Sequence, residues 1–328
     1  MKKLVGFSIF LAFVVIMLGA YTRLTDAGLG CPDWPGCYGH LTVPKGEHVD
    51  AANQAFPQRP VEAHKAWNEM IHRYFAGTLG LVIVAIAAIA LRNRQVNPVK
   101  LPLFLVGLVI FQAALGMWTV TLNLLPAVVM AHLLGGFAVL SCLFLLLLRL
   151  KHLPTTSPSS ASRTPFTLAL VGLAILVVQI GLGGWTSANY AALACTDFPI
   201  CEGEWTQRLD FSDAFSIPEA QNYEFGAHDY DERMTMHVVH RFGAIVTFLY
   251  LLWFAIKVAK VKQFQFSHQA AALLVVVLGI QIALGISNIV FSLPLSVAVL
   301  HNAVAATLLL VMVWITFHLH RLQGGHYE

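Results

Sequence analysis

Cys31-Pro-Asp33-Trp-Pro35-Gly-Cys37 recurs 164 positions later as Cys195-Thr-Asp197-Phe-Pro199-Ile-Cys201, a shared C-x-D-x-P-x-C pattern. Outward from these stretches the agreement continues. His72-Arg73-Tyr returns as His240-Arg241-Phe at a shift of 168. Gln112-Ala-Ala-Leu-Gly116 returns as Gln281-Ile-Ala-Leu-Gly285, and His132 as His301, both at a shift of 169. The histidines of each pair are therefore 60 residues apart in the first half and 61 in the second. A period near half the chain means two copies of one module, not a solenoid array.

Composition says where the module sits. The 328 residues are 57% hydrophobic and only 11% charged, against about 25% charged in ordinary soluble domains. A bilayer span needs ~20 apolar residues, and runs of that kind fall at 4–20, 72–91, 101–120, 127–148, 166–186, 236–256, 270–291 and 295–317. The expected fold is an all-α integral membrane protein with eight transmembrane helices, arranged as two parallel-repeat four-helix bundles. An even number of spans per copy makes both copies point the same way. The expected domains are 1–152, a Pro/Ser/Thr-rich linker at 153–164, and 165–328.

Charge sets the orientation. Of 17 acidic residues, 16 lie between Asp26 and Glu69 or between Asp197 and Glu232. The remaining loops carry lysine and arginine and no internal acid, so by the positive-inside rule they are cytoplasmic. Both termini are then expected inside a bacterial-type inner (plasma) membrane, with the cysteine loops outside. The N-terminus has the look of a signal peptide, but Leu18-Gly-Ala-Tyr-Thr22 matches the internal Leu182-Gly-Gly-Trp-Thr186, which argues that helix one is retained. The net charge of +3 is spread along membrane edges, so nucleic acid is not expected as a partner.

The repeated histidines carry the chemistry. His72, His132, His240 and His301 fall near the outer ends of the second and fourth helices of each copy. A single buried histidine reads as a satisfied core residue. Four, paired on separate helices and duplicated, do not, because an unpartnered buried polar group costs about 2–7 kcal/mol. Two histidines per bundle match the two axial ligands of a haem iron. Bare zinc or copper would recruit further Cys, His or carboxylate ligands. His237 offers one in the second half, but the equivalent residue in the first is Glu69. Glu69 and His72, three apart, share a helix face, so Glu69 is a candidate general base. An interfacial glutamate facing water or pairing with Arg73 is the plain alternative.

Each cysteine pair is expected to form a disulfide, Cys31–Cys37 and Cys195–Cys201, in an oxidising compartment, with Cys142 in the core. Arg73 and Arg241 are candidate partners of haem propionates, with interfacial snorkelling as the alternative. His40, His48, His64 and His228 carry no spacing signal, and His152, His268, His318, His320 and His326 read as solvated edge residues.

The stretch from Gly19-Ala-Tyr-Thr-Arg23 through Gly28-Leu-Gly-Cys31-Pro-Asp-Trp-Pro35, the Glu69-Met-Ile-His72-Arg73 element and the duplicated four-helix plan resemble the haem A synthase family across essentially the whole chain. The resemblance implies oxidation of the C8 methyl of haem O to the formyl of haem A for terminal oxidases, by two hydroxylations and loss of water. It implies a resident haem b on His240 and His301, a substrate haem O facing His72 and His132, and Glu69 as the catalytic carboxylate. An unidentified electron acceptor and a haem O-making farnesyltransferase are the expected partners besides the lipid bilayer. A di-haem b-type cytochrome in electron transfer or quinol oxidation is the alternative, and a parallel-repeat transporter is disfavoured because no charge lies at mid-membrane.

Overall fold

The computed structural model describes residues 1–151 and 164–323. The linker expected at 153–164 lies outside them except for its last residue, and His152 and His326 also lie outside. The described residues are helical, with no strand: α1 (Lys2–Leu24), α2 (Glu47–Ala55), α3 (Ala63–Arg92), α4 (Lys100–Thr121), α5 (Pro126–Leu150), α6 (Thr164–Ala188), α7 (Tyr230–Ala259), α8 (Ser267–Val290) and α9 (Leu295–Leu322), plus one 3₁₀ turn at Trp205–Arg208. All but α2 are long and apolar enough to cross a bilayer, giving the eight spans expected of a multi-pass membrane protein. Large side chains such as Phe10, Leu81, Ile110, Val178 and Val276 are exposed along these spans, as lipid-facing positions should be.

Two helices begin earlier than their apolar runs. α3 starts at Ala63 and α7 at Tyr230, and at 30 residues each they are about 45 Å long, beyond a hydrocarbon core of about 30 Å. Their first turns are polar and project past the membrane, which is why hydropathy alone cuts them short. A capping box, in which Asp229 and Glu232 satisfy each other's backbone N–H groups, fixes the start of α7. The extension puts Glu69, His72 and Arg73 on one continuous helix, with His72 more than two turns inside.

The helices of each half close into a ring. α1 packs on α3 and α5, α3 on α4, and α4 on α5; α6 packs on α7 and α9, α7 on α8, and α8 on α9. Between the halves, α1 lies on α9 and α5 on α6, while α5 meets α9. One hydrophobic core, including Leu11, Ile83, Leu105, Leu140, Leu251, Leu274 and Met312, runs through both halves, and Cys142 packs against it. The turn before α5 places Asn123 and Leu124 at φ 49° and 64°, and the turn before α9 places Ser292 and Leu293 at φ 54° and 61°. Leucine seldom enters this left-handed region, so the same unusual turn appears twice.

The two loops after α1 and α6 cover one end of the molecule, here called the loop end. Each contains its disulfide, Cys31–Cys37 and Cys195–Cys201. The first packs Cys31, Cys37, Tyr38, Val43 and Ala52 on Ala66 and Met70 of α3. α2, which no apolar run announced, is part of this small cap. The two loops also meet, Arg59 pairing with Glu224 at 3.7 Å, and Asn123 of the turn before α5 bonds the backbone of Gln221 and Tyr223 in the second loop, each at 3.0 Å.

Candidate functional site

Below the first loop, His72 of α3 and His132 of α5 face each other with ring centroids 6.4 Å apart and planes at 88°. Helix packing allows this approach because each ring rests on a glycine. A Cβ on Gly19 would lie 3.0 Å from His72 Cε1, and one on Gly116 would lie 3.4 Å from His132 Cε1. The second half repeats the device, with Gly183 at 3.0 Å from His240 Cε1 and Gly285 at 3.2 Å from His301 Cε1. A methyl group at any of these positions would press on the ring and force it to shift by a few tenths of an ångström.

The ring nitrogens fit a haem iron. His72, His132 and His301 bury Nδ1 with no well-formed hydrogen bond among the described residues, although the rings lie toward the backbone of Val15, Gln112 and Gln281 respectively. Paired, partly buried imidazoles with spare nitrogens are a donor set that would suit a haem iron. His72 and His132, on separate helices with ring centroids 6.4 Å apart, would hold the iron from two sides of the bundle. A closed zinc site would want more ligands than each pair offers. The only trio of His, Cys or acidic groups spaced for a metal among the described residues, Asp210, Asp213 and Glu232, lies in the second loop and at the start of α7, and it contains none of these histidines.

Glu69 is the buried acid of the first half, 5% exposed. Its Oε2 accepts the backbone N–H of Cys31 at 2.9 Å, and its Oε1 pairs with Arg73 one turn on. Arg73 also donates to the carbonyls of Asp33 at 3.0 Å, Pro35 at 3.3 Å and Gly36. Asp33 in turn closes the loop by accepting from the N–H groups of Tyr38 at 2.6 Å and Gly39 at 2.7 Å. Arg241 repeats the bracing on the carbonyls of Asp197 at 2.9 Å, Pro199 at 3.4 Å and Cys195 at 2.6 Å. The Nη groups of both arginines, read from sequence as propionate partners, are thus engaged by the disulfide loops.

At the position of Glu69 the second half has His237, 4% exposed, whose Nδ1 is buried without a partner among the described residues. Other contacts escaped sequence reasoning. Gln179 of α6 contacts His240, with Nε2 3.0 Å from His240 Nδ1. Gln281 of α8 brings its Nε2 to 3.3 Å from His301 Nε2. Arg23 at the end of α1 crosses to the other half, donating to the Ser187 carbonyl at 2.5 Å with its guanidinium 3.8 Å over the Tyr190 ring. His228 is buried and its Nδ1 lies 2.5 Å from Glu232. The glycines were visible as repeated positions, but nothing in the spacing said that they touch histidines. His268 is exposed as expected, whereas His318 stacks on Phe264 at 5.3 Å and His320 meets Phe166 edge-on at 5.1 Å. Aromatic neighbours distant in sequence, Phe264 of the turn between α7 and α8 and Phe166 of α6, leave these two rings half-buried.

A multi-pass helical membrane protein that sets a partly buried histidine pair in each of two similar halves is the class that fold and site define. Residues 2–313 match the model of the cytochrome oxidase assembly protein family, and the chain belongs to that family. It is 52% identical to a haem A synthase of Shewanella oneidensis over 93% of this chain and 92% of the relative. It is 26% identical to the haem A synthase of Rhizorhabdus wittichii over 93% of this chain and 89% of that one. A third haem A synthase, from Rickettsia prowazekii, is also 26% identical, over 94% of this chain and 95% of the relative.

Proposed function

We propose that this chain is a haem A synthase, an oxidoreductase that converts the C8 methyl of haem O to the formyl group of haem A. The observation that carries the reading is the unequal content of two similar sites. One histidine pair has a buried carboxylate, Glu69, on the same helix face as His72, and the other has His237 in its place. The 52% identity to a haem A synthase along nearly the whole chain supports it.

In this reading residues 1–152 form the converting bundle. His72 and His132 hold and orient the substrate haem O, and Gly19 and Gly116 give the rings their room. Glu69 takes up protons released as the methyl group is oxidised, a role that a positioned base can make worth about 10²–10⁴-fold in rate. The Cys31 N–H and Arg73 fix its two oxygens, and Arg73 offsets its charge in a buried place. Residues 165–328 form the resident bundle, where His240 and His301 would ligate haem b. When bound, haem b supplies one-electron transfer toward an acceptor outside the chain. Arg241 Nε, buried without a partner among the described residues, is the donor still open to a haem propionate, with Arg73 proposed at the equivalent place. Both termini lie in the cytoplasm, the disulfide loops outside an inner membrane, and haem O arrives from the farnesyltransferase that makes it.

The test is expression in cells with and without a haem O supply, followed by haem extraction. Haem A forming only in supplied cells is expected. Haem O left unchanged there, by protein carrying haem b, would leave the di-haem cytochrome as the better reading.

A further inference from the structure

Two exchanges between the halves meet at one histidine. Val15 of α1 and Gln179 of α6 are equivalent positions, 164 apart, and Phe75 of α3 and Gly243 of α7 are equivalent, 168 apart. Gln179 Nε2 lies 3.0 Å from both Nδ1 and the carbonyl oxygen of His240. Its Oε1 occupies the place that a Cβ on residue 243 would take. A glutamine fits beside His240 because residue 243 is glycine, and the first half, with phenylalanine at 75, has no such room. There the ring of His72 lies toward the main chain of Val15 instead.

We infer that Gln179 is a positioning residue for His240, one that fits the second bundle to keep its haem. The inference rests on the reading of that bundle as the haem b site. A neutral imidazole carries one proton. Ligation through Nε2 therefore leaves the proton on Nδ1, which needs an acceptor in the helix bundle. Nε2 faces Nδ1 and the His240 carbonyl in this structure; turning the Gln179 amide so that Oε1 meets the Nδ1 proton, with the bond to the carbonyl given up, supplies the acceptor, and valine has nothing to offer. Partners of this kind fix the tautomer and orientation of a ligating histidine, and their loss costs about 10–100-fold in metal affinity. Hydrogen bonding around a haem ligand also tunes the reduction potential. Gly183, one turn on from Gln179, closes on the Cε1 edge of the same ring, so α6 holds His240 from two directions. A glutamine that only satisfied the His240 carbonyl would matter for folding and leave the haem's potential alone.

The test compares the purified full-length protein with Gln179→Val and Gln179→Glu. Haem b content, midpoint potential by optical titration, and thermal unfolding are measured. Gln179→Val is expected to retain haem b about 10–100-fold less well and to raise its potential, while Gln179→Glu, with a charged acceptor on Nδ1, lowers the potential. Wild-type potential in both variants overturns the inference, as does a loss of thermal stability with the potential unmoved. If Gln179→Val does not fold, the near-isosteric Gln179→Glu decides alone, and an unchanged potential in it counts against the inference. Wild-type protein lacking haem b, or His240→Ala retaining it, would instead sink the underlying assignment of the bundle.

Discussion

Cys31 donates its backbone N–H to Glu69 Oε2 at 2.9 Å, so the buried acid of the first bundle is held by the same residue that closes the disulfide loop with Cys37. Loop and acid form one unit, tied again by Arg73. Opening the loop with Cys31→Ser/Cys37→Ser should displace the acid and lower haem A formation by about 10- to 100-fold, the usual cost of misplacing a catalytic group by about 1 Å. Haem b content in the other bundle should not change. Full turnover in the double variant would show that the loop does not position Glu69.

Arg73 has a side chain 12% exposed and Glu69 one that is 6% exposed. Removing one partner of a buried pair costs about 3–5 kcal/mol, so Arg73→Ala should lower the unfolding midpoint clearly. Arg73→Lys should recover only part of it, because an ammonium cannot span Glu69 and three loop carbonyls as a guanidinium does. Equal midpoints for wild type and Arg73→Ala, measured in detergent, would refute the bracing role.

The glycine–imidazole contacts separate the two sites. Gly183→Ala places a methyl at 3.0 Å from His240 Cε1 and should deplete haem b about 10-fold or more. Gly19→Ala does the same to His72 and should spare haem b while cutting turnover. Identical haem b loss in both variants would mean that the histidine pairs are not distinct in use.

Thiol labelling tests the disulfides. Of five cysteines, only Cys142 is free. One label per chain is expected under denaturing, non-reducing conditions and five after reduction. Labelling of Cys195 or Cys201 before reduction would refute the second bridge.

Much of this was legible in the sequence because the bilayer is a demanding solvent. It asks for about 20 apolar residues per span, and eight such runs stand out from loops that hold nearly all the acids. The histidine pairs were legible because they are polar, lie within apolar runs and are duplicated. Helix ends were not, since the first turns of α3 and α7 are polar and are held by packing of the loops above them, with a capping box at α7. Gln179 and Gly243 were invisible for another reason. Aligning the halves reveals the exchanges at 15/179 and 75/243, but only the packing of α6 on α7 shows that both bear on one ring. Arg73 and Arg241 read as propionate donors because arginine matches a carboxylate; the competing loop carbonyls belong to residues about 40 positions away and leave no periodic trace.

The central claim is that one bundle keeps a haem and the other changes one, with Glu69 serving the change. It is tested most directly by extracting and separating the haems bound to Glu69→Gln protein from cells supplied with haem O. Haem b at the wild-type level, with haem O in place of haem A, is the expected result. Haem A formed at the wild-type rate, or haem b lost along with it, would contradict the account.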